Sequence, residues 1–238
     1  MSRHLFATVF ALSAIGLSGE AAAASYVLVA ETDEGCKLYL DGTSLVSNGC
    51  NVYIENGDGT TDTTNGLGNL IVGYDEAYSD DKSGSHNLVV GPYHSYSSYG
   101  GLVAGYDNAV SGYFASVTGG RANDASGKYA AVSGGYYNTA SGYFASVTGG
   151  TNNYASGQYS AVSGGFLNEA IGSGASVSGG VYNDASGSYA SVLGGRYNDA
   201  SGSYASVSGG RNNTASGDYS SISGSYYNVT SGTYDYAP

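Results

Sequence analysis

Ser201 to Ala215 reads SGSYASVSGGRNNTA, and the same fifteen-residue phrase is written eight times in succession between Ser111 and Thr230. In every copy an aliphatic residue stands two places before a glycine, and it recurs at intervals of 15 from Val117 through Val132 and Val147 to Ile222. The same pairing appears earlier as Ile71 with Gly73, Val89 with Gly91 and Val103 with Gly105, at spacings of 18, 14 and 14 up to Val117. Eleven such coils follow one another. Self-similarity at a short fixed period is the mark of a solenoid, in which no unit buries its apolar face alone, and it separates this Gly/Ser-rich chain from a flexible linker.

Alternation assigns the faces of a coil. In YASVSG, Tyr204 to Gly209, one side takes Ala205, Val207 and Gly209 and the other takes Tyr204, Ser206 and Ser208, so the first side is the interior. The Gly209–Gly210 pair permits a corner, and Asn213 to Ala215 supplies a second short extended piece before the SG turn. The fold expected is all-β, a parallel β-solenoid of about eleven coils of 14–15 residues over 69–238, preceded by a small β cap. Each coil contributes one valine, two alanines and one asparagine to the inside, so backbone ladders and stacking of like residues must supply much of the order. The asparagines recurring from Asn123 to Asn228 suit that role, since a stacked amide satisfies neighbouring backbone.

Composition sets further bounds. The chain has 238 residues with 40 Gly, 25 Tyr, 2 Pro and no Trp, a bias that only a repeat explains. Met1 to Ala24 reads as a secretory signal: Arg3, an apolar run from Leu5 to Leu17, then Ala22, Ala23 and Ala24 at a cleavage position. The expected location is therefore extracellular, secreted or at a bacterial cell surface, without stable membrane insertion. In that oxidising setting Cys36 and Cys50 form a structural disulfide. The net charge of −12 argues against nucleic acid as a partner.

Between the signal and the coils, 25–68 alternates apolar runs with turns: Tyr26 to Ala30, Lys37 to Leu40 and Asn51 to Ile54 read as strands of the cap. In the first coils Leu70, Leu88 and Leu102 take an outward place that Ser or Ala fills later, and Val72 and Val90 fill the next outward place, making both faces apolar. The cap folding over that face is the first expectation, a partner chain the second.

No enzyme mechanism assembles: beyond the signal only His86 and His94 remain as histidines, and serine abundance is repeat composition. No cofactor is expected. Calcium has two acidic candidates, Asp58 and Asp62 in NGDGTTD and the insert of Asp75, Glu76, Asp80 and Asp81, but the first lacks the full ligand register and the second reads as solvated loop. The candidate binding surface is the aromatic column that includes Tyr129, Tyr159, Tyr189, Tyr204 and Tyr219, which stacking also explains structurally. Beside it runs an outward serine face, Ser176 and Ser178, Ser206 and Ser208, a regular hydroxyl array with the geometry to order water or ice, interrupted at Ala131, Ala161 and Leu193.

The early coils GSHNLVVG (Gly84 to Gly91) and GGLVAG (Gly100 to Gly105) resemble the head repeats of trimeric autotransporter adhesins, the YadA-like head, and YASVSGG with NTASG or NDASG is similar to a fifteen-residue variant. The resemblance spans about Gly68 to Gly232. It implies a left-handed parallel β-roll, packed as a homotrimer on a cell surface and contacting host or matrix protein or glycan. Up to Pro238 there are no heptads and no barrel strands, so self-anchoring is not expected, and the tyrosine column and uniform spacing depart from the family pattern. The function expected is an exported, non-enzymatic, adhesin-like surface or extracellular-matrix module. The alternative is a soluble glycan-binding or ice-binding solenoid.

Overall fold

The structure, a computed structural model, describes residues 26–31 and 35–238; the expected signal, 1–24, lies outside them. The described residues up to Tyr53 and those from Ile54 to Pro238 form two compact units. The first holds three antiparallel strands, β1 (Tyr26–Glu31), β2 (Lys37–Asp41) and β3 (Ser44–Asn48), in the order β1-β2-β3. Asn51 to Ile54 is not a strand; the third strand is Ser44–Asn48, paired with Lys37–Asp41 across Gly42 and Thr43. Gly42 at φ 57° gives the left-handed residue that so tight a hairpin requires. The Cys36–Cys50 disulfide closes the base of that hairpin.

The second unit is a parallel β-solenoid built of two stacked sheets. One has twelve strands, from β4 (Leu70–Val72) through Leu88–Val90 and Leu102–Ala104 to Tyr236–Ala237, and the other has ten, from Ser95–Tyr96 to Val229–Thr230. Register follows the repeat: Val132 pairs Val117 and Val147, and Ala140 pairs Ala125 and Ala155. Tyr236–Ala237 adds a strand beyond the eleven valine or isoleucine positions, and Ala237 takes the place of Ile222 one coil on. A third ladder one residue wide runs along a corner, from Tyr106 and Arg121 to Arg211 and Tyr226.

Within Ser201–Ala215, Ala205, Val207, Asn213 and Ala215 are buried as alternation demands, but Gly209 is half-buried at the corner. The remaining interior place belongs to the SG glycine. A Cβ on Gly217 would sit 2.1 Å from the Gly232 carbonyl oxygen of the next coil, so successive coils pass there backbone on backbone. Gly210, at φ 82°, turns the corner in the left-handed region.

The asparagine column spends its amides on backbone. Asn153 Nδ2 donates to the Gly149 carbonyl of its own coil (2.9 Å) and the Gly165 carbonyl of the next (3.1 Å), while its Oδ1 accepts the Asn168 N–H (3.0 Å). The column extends upstream through Asn108 and begins at His94, whose Nδ1 accepts the Asn108 N–H (3.1 Å) and whose Nε2 lies 3.0 Å from the Val90 carbonyl. His94 is fully buried. It is therefore held as the Nε2–H tautomer, imitating an asparagine with one ring nitrogen accepting and the other donating.

Candidate functional site

The aromatic column is set by a turn rather than by strand alternation. Only Ser206 and Val207 are strand in that stretch; before them the Ala205 N–H donates to the Gly202 carbonyl (3.1 Å), and Tyr204 occupies the third position of the turn at φ 59°. Every aromatic of the column lies between φ 55° and 61°, a region aromatic side chains seldom enter. Ring stacking offsets that strain. Successive rings lie with centroids 4.6 to 5.6 Å apart and planes within 17° of parallel, from Phe114 through Tyr129 and Phe144 to Tyr159, and again from Tyr189 through Tyr204 and Tyr219 to Tyr234.

The structure thus brings Tyr129 and Tyr159 into one stack and Tyr189, Tyr204 and Tyr219 into another. Between them stands Gly174, at φ 68° in the same place of its coil, so the column is broken once. Most rings present an open edge to solvent: Phe144 is 44 % exposed, Tyr204 49 % and Tyr189 58 %. Lys128 lies over the Tyr129 ring at 5.1 Å, a cation on the column itself. A second aromatic corner carries Tyr182 stacked on Tyr197 at 5.0 Å, with Arg196 over Tyr197 at 4.8 Å.

The serines fall where alternation puts them. Ser176 and Ser206 are half-buried on the outer face of the twelve-stranded sheet, and Ser178 and Ser208 are exposed. Leu193, 59 % exposed, stands in that outer hydroxyl row. At the front of the same sheet, within the second unit, Leu70 is 49 %, Val72 55 % and the inward Ile71 38 % exposed.

The acidic candidates are committed to local structure. Asp58 Oδ2 accepts from Asn65 Nδ2 (3.0 Å), and Asp62 accepts the Thr60 hydroxyl, which holds its carboxyl below the usual carboxylate range. His86 ties this loop down: its Nε2 accepts the Asn56 N–H (3.3 Å) and its Nδ1 lies 3.2 Å from the Thr61 carbonyl. In the insert, Asp75 pairs with Lys82 (2.6 Å) and accepts the Tyr96 hydroxyl (2.9 Å); burial first, then the hydrogen bond to Asp75, raises the Tyr96 pKa. Among the described residues no group of three or more His, Cys, Asp or Glu gathers as a metal site.

Two features escaped sequence reasoning. The first is His94 in the asparagine column, signalled only by its 14-residue distance from Asn108. The second is a carboxylate column, Glu169, Asp184 and Asp199, paired on adjacent coils of the ten-stranded sheet. Burial, then the charges of Asp199 and Glu169, push the Asp184 carboxyl up to about 6. One oxygen each of Asp184 and Asp199 is buried without a hydrogen-bond partner.

Fold and surface define an all-β parallel β-solenoid carrying an interrupted ladder of exposed aromatic rings. Comparison with protein-family models finds no match, and comparison with curated proteins finds none either.

Proposed function

We propose that this chain is an exported, non-enzymatic solenoid acting as an adhesin-like module at a cell surface or in the extracellular matrix, binding host or matrix protein or glycan. The observation that carries the reading is the aromatic ladder: two stacks of four rings, near-parallel, with most rings exposed among the described residues. Rigid amphipathic rings with small hydroxyl neighbours give large contact area at low entropic cost. The resemblance of Gly84–Gly91 and Gly100–Gly105 to trimeric autotransporter head repeats points the same way, and the exposed front face at Leu70 and Val72 is the place where a homotrimer would close. The disulfide between Cys36 and Cys50 accords with export. Exposed Leu193 in the hydroxyl row weighs against the ice-binding alternative.

The test compares wild type with a Tyr129→Asn, Tyr204→Asn, Tyr219→Asn variant on immobilised matrix proteins and a glycan array. Asparagine tolerates positive φ better than alanine, so the turns survive. Binding that falls at least tenfold in a variant with unchanged circular dichroism supports the ladder; equal binding overturns it.

A further inference from the structure

The two aromatic stacks share a geometry and differ in chemistry. From Phe114 to Tyr159 the rings alternate phenylalanine and tyrosine, so Tyr129 and Tyr159 stand two coils apart with the Phe144 ring between them. From Tyr189 to Tyr234 every ring is a phenol: Tyr189, Tyr204, Tyr219 and Tyr234 lie with successive centroids 5.1, 4.9 and 5.0 Å apart and planes 10°, 3° and 17° from parallel. Two-ring tyrosine stacks occur elsewhere, as Tyr182 on Tyr197, but here three successive contacts lie in one line. The four rings belong to residues 49 % to 74 % exposed, so an oxidant reaches them without the solenoid opening. The rest of the chain offers it little else. There is no tryptophan, the single methionine is Met1, and the two cysteines are joined to each other, so the usual targets of oxidation are missing from the solenoid. Tyrosine is the side chain a one-electron oxidant takes first, and in this run each oxidised ring lies against another phenol.

We propose that the run of Tyr189, Tyr204, Tyr219 and Tyr234 is a site of oxidative tyrosine coupling, at which a haem peroxidase using hydrogen peroxide joins rings of adjacent coils through a Cε–Cε bond. Each of two neighbouring phenols gives up one electron and the proton of its hydroxyl. The two phenoxyl radicals combine at ring carbons ortho to oxygen, where unpaired spin resides, and the hydrogen on each bonded Cε moves to the oxygen, restoring both phenols. The two electrons and two protons released reduce one hydrogen peroxide to two waters. Forming the bond turns the rings edge to edge, a tilt about side-chain torsions that half-exposed residues make freely, while the backbone ladder beneath keeps its spacing. Rings held about 5 Å apart have an effective concentration that encounters between chains do not match, so coupling within the run outpaces coupling between molecules. The product is a covalent rung between residues 15 apart in sequence. This goes beyond the surface-binding reading and does not depend on it.

The experiment treats the dilute, folded chain with a haem peroxidase and hydrogen peroxide and isolates the single-chain fraction by size. Dityrosine fluorescence reports coupling, undisturbed because the chain lacks tryptophan. Cleavage before aspartate then releases 199–217, whose sole tyrosine is Tyr204, so the partners of that ring are read directly by mass. It should be joined to 184–198 through Tyr189 and to 218–234 through Tyr219, at least fivefold more in the folded chain than in one unfolded in urea. Two variants exchange the chemistry of the stacks while keeping every ring. Tyr204→Phe with Tyr234→Phe gives the run the alternation of the first stack and should leave Tyr189 and Tyr219 uncoupled. Phe144→Tyr makes the first stack continuous in phenols and should add a coupling of position 144 to Tyr129 or Tyr159. The site is refuted if 199–217 is joined to neither neighbour in the folded wild type, or if the unfolded chain joins it as much. It is equally refuted if Tyr189 and Tyr219 couple as before in the double variant, or if folded Phe144→Tyr adds no coupling. The matrix and array test decides the binding reading separately, since it uses chain that has met no oxidant.

Discussion

At the scale of one residue, the solenoid is held by side chains that bond backbone in two coils at once. Asn153 makes three such bonds in a fully enclosed position, so Asn153→Ala should cost about 2–4 kcal/mol, as unmade buried hydrogen bonds do, read as a lower denaturant midpoint. His94→Asn should hold stability close to wild type because asparagine is the residue every later coil uses there, whereas His94→Leu leaves the Asn108 N–H unsatisfied and should lower the midpoint. Glycines divide by what lies above them. Gly157→Ala drives a Cβ to 2.0 Å from the Gly172 carbonyl and should split the stack, while Gly194→Ala meets nothing within 4 Å and should fold normally. The periodic asparagine and glycine positions were readable from the repeat alone. Which glycines lie under the backbone of the next coil, as Gly157 and Gly210 do, and which lie under nothing, as Gly194 does, was not, since all stand in similar Gly/Ser surroundings.

At the scale of an element, the two columns work in opposite directions. Aromatic residues at φ near 58° carry backbone strain that stacking offsets, and the column's existence was legible from its 15-residue period. Its left-handed turn was not, because alternation assigned Tyr204 to a strand; the glycine at the same place, Gly174, was the available signal. The carboxylate column is a liability at neutral pH. Burial and the neighbouring Asp199 and Glu169 raise the folded Asp184 from its ordinary 3.8 to about 6, so between those values the folded chain binds more protons than the unfolded one. Stability should therefore rise as pH falls from 7.5 to 5, the reverse of an ion-paired carboxylate. After discounting for partial exposure the gain is about 1 kcal/mol, a rise of roughly 2–4 °C in Tm. Asp184→Asn should deliver that rise at pH 7.5 and flatten the pH profile, and a profile unchanged by the substitution would remove Asp184 as its source.

At the scale of the molecule, the solenoid was legible because a thin interior repeats strictly, so a single valine–glycine spacing numbers eleven coils; the additional strand Tyr236–Ala237 has alanine in the valine place and shows only in the pairing. The three-stranded unit was legible in two strands and misplaced in the third, since Asn51–Ile54 looks more strand-like than Ser44–Asn48 until the Gly42 hairpin is considered. The exposed front of the second unit follows from the same repeat logic. Leu70, Val72 and Leu88 make one exposed apolar face of the twelve-stranded sheet at 49 %, 55 % and 37 %, and β4 is its edge strand. Burying such residues is worth roughly 25 cal/mol per Å² of apolar surface, and an exposed edge pairs readily with another chain. The chain should therefore associate with rising concentration in sedimentation velocity, and Leu70→Ser with Val72→Thr and Leu88→Ser should shift it toward monomer without changing circular dichroism. A wild-type chain that stays strictly monomeric at high concentration, uncrosslinked by a short amine-independent reagent, would show that this face closes on nothing of its own kind.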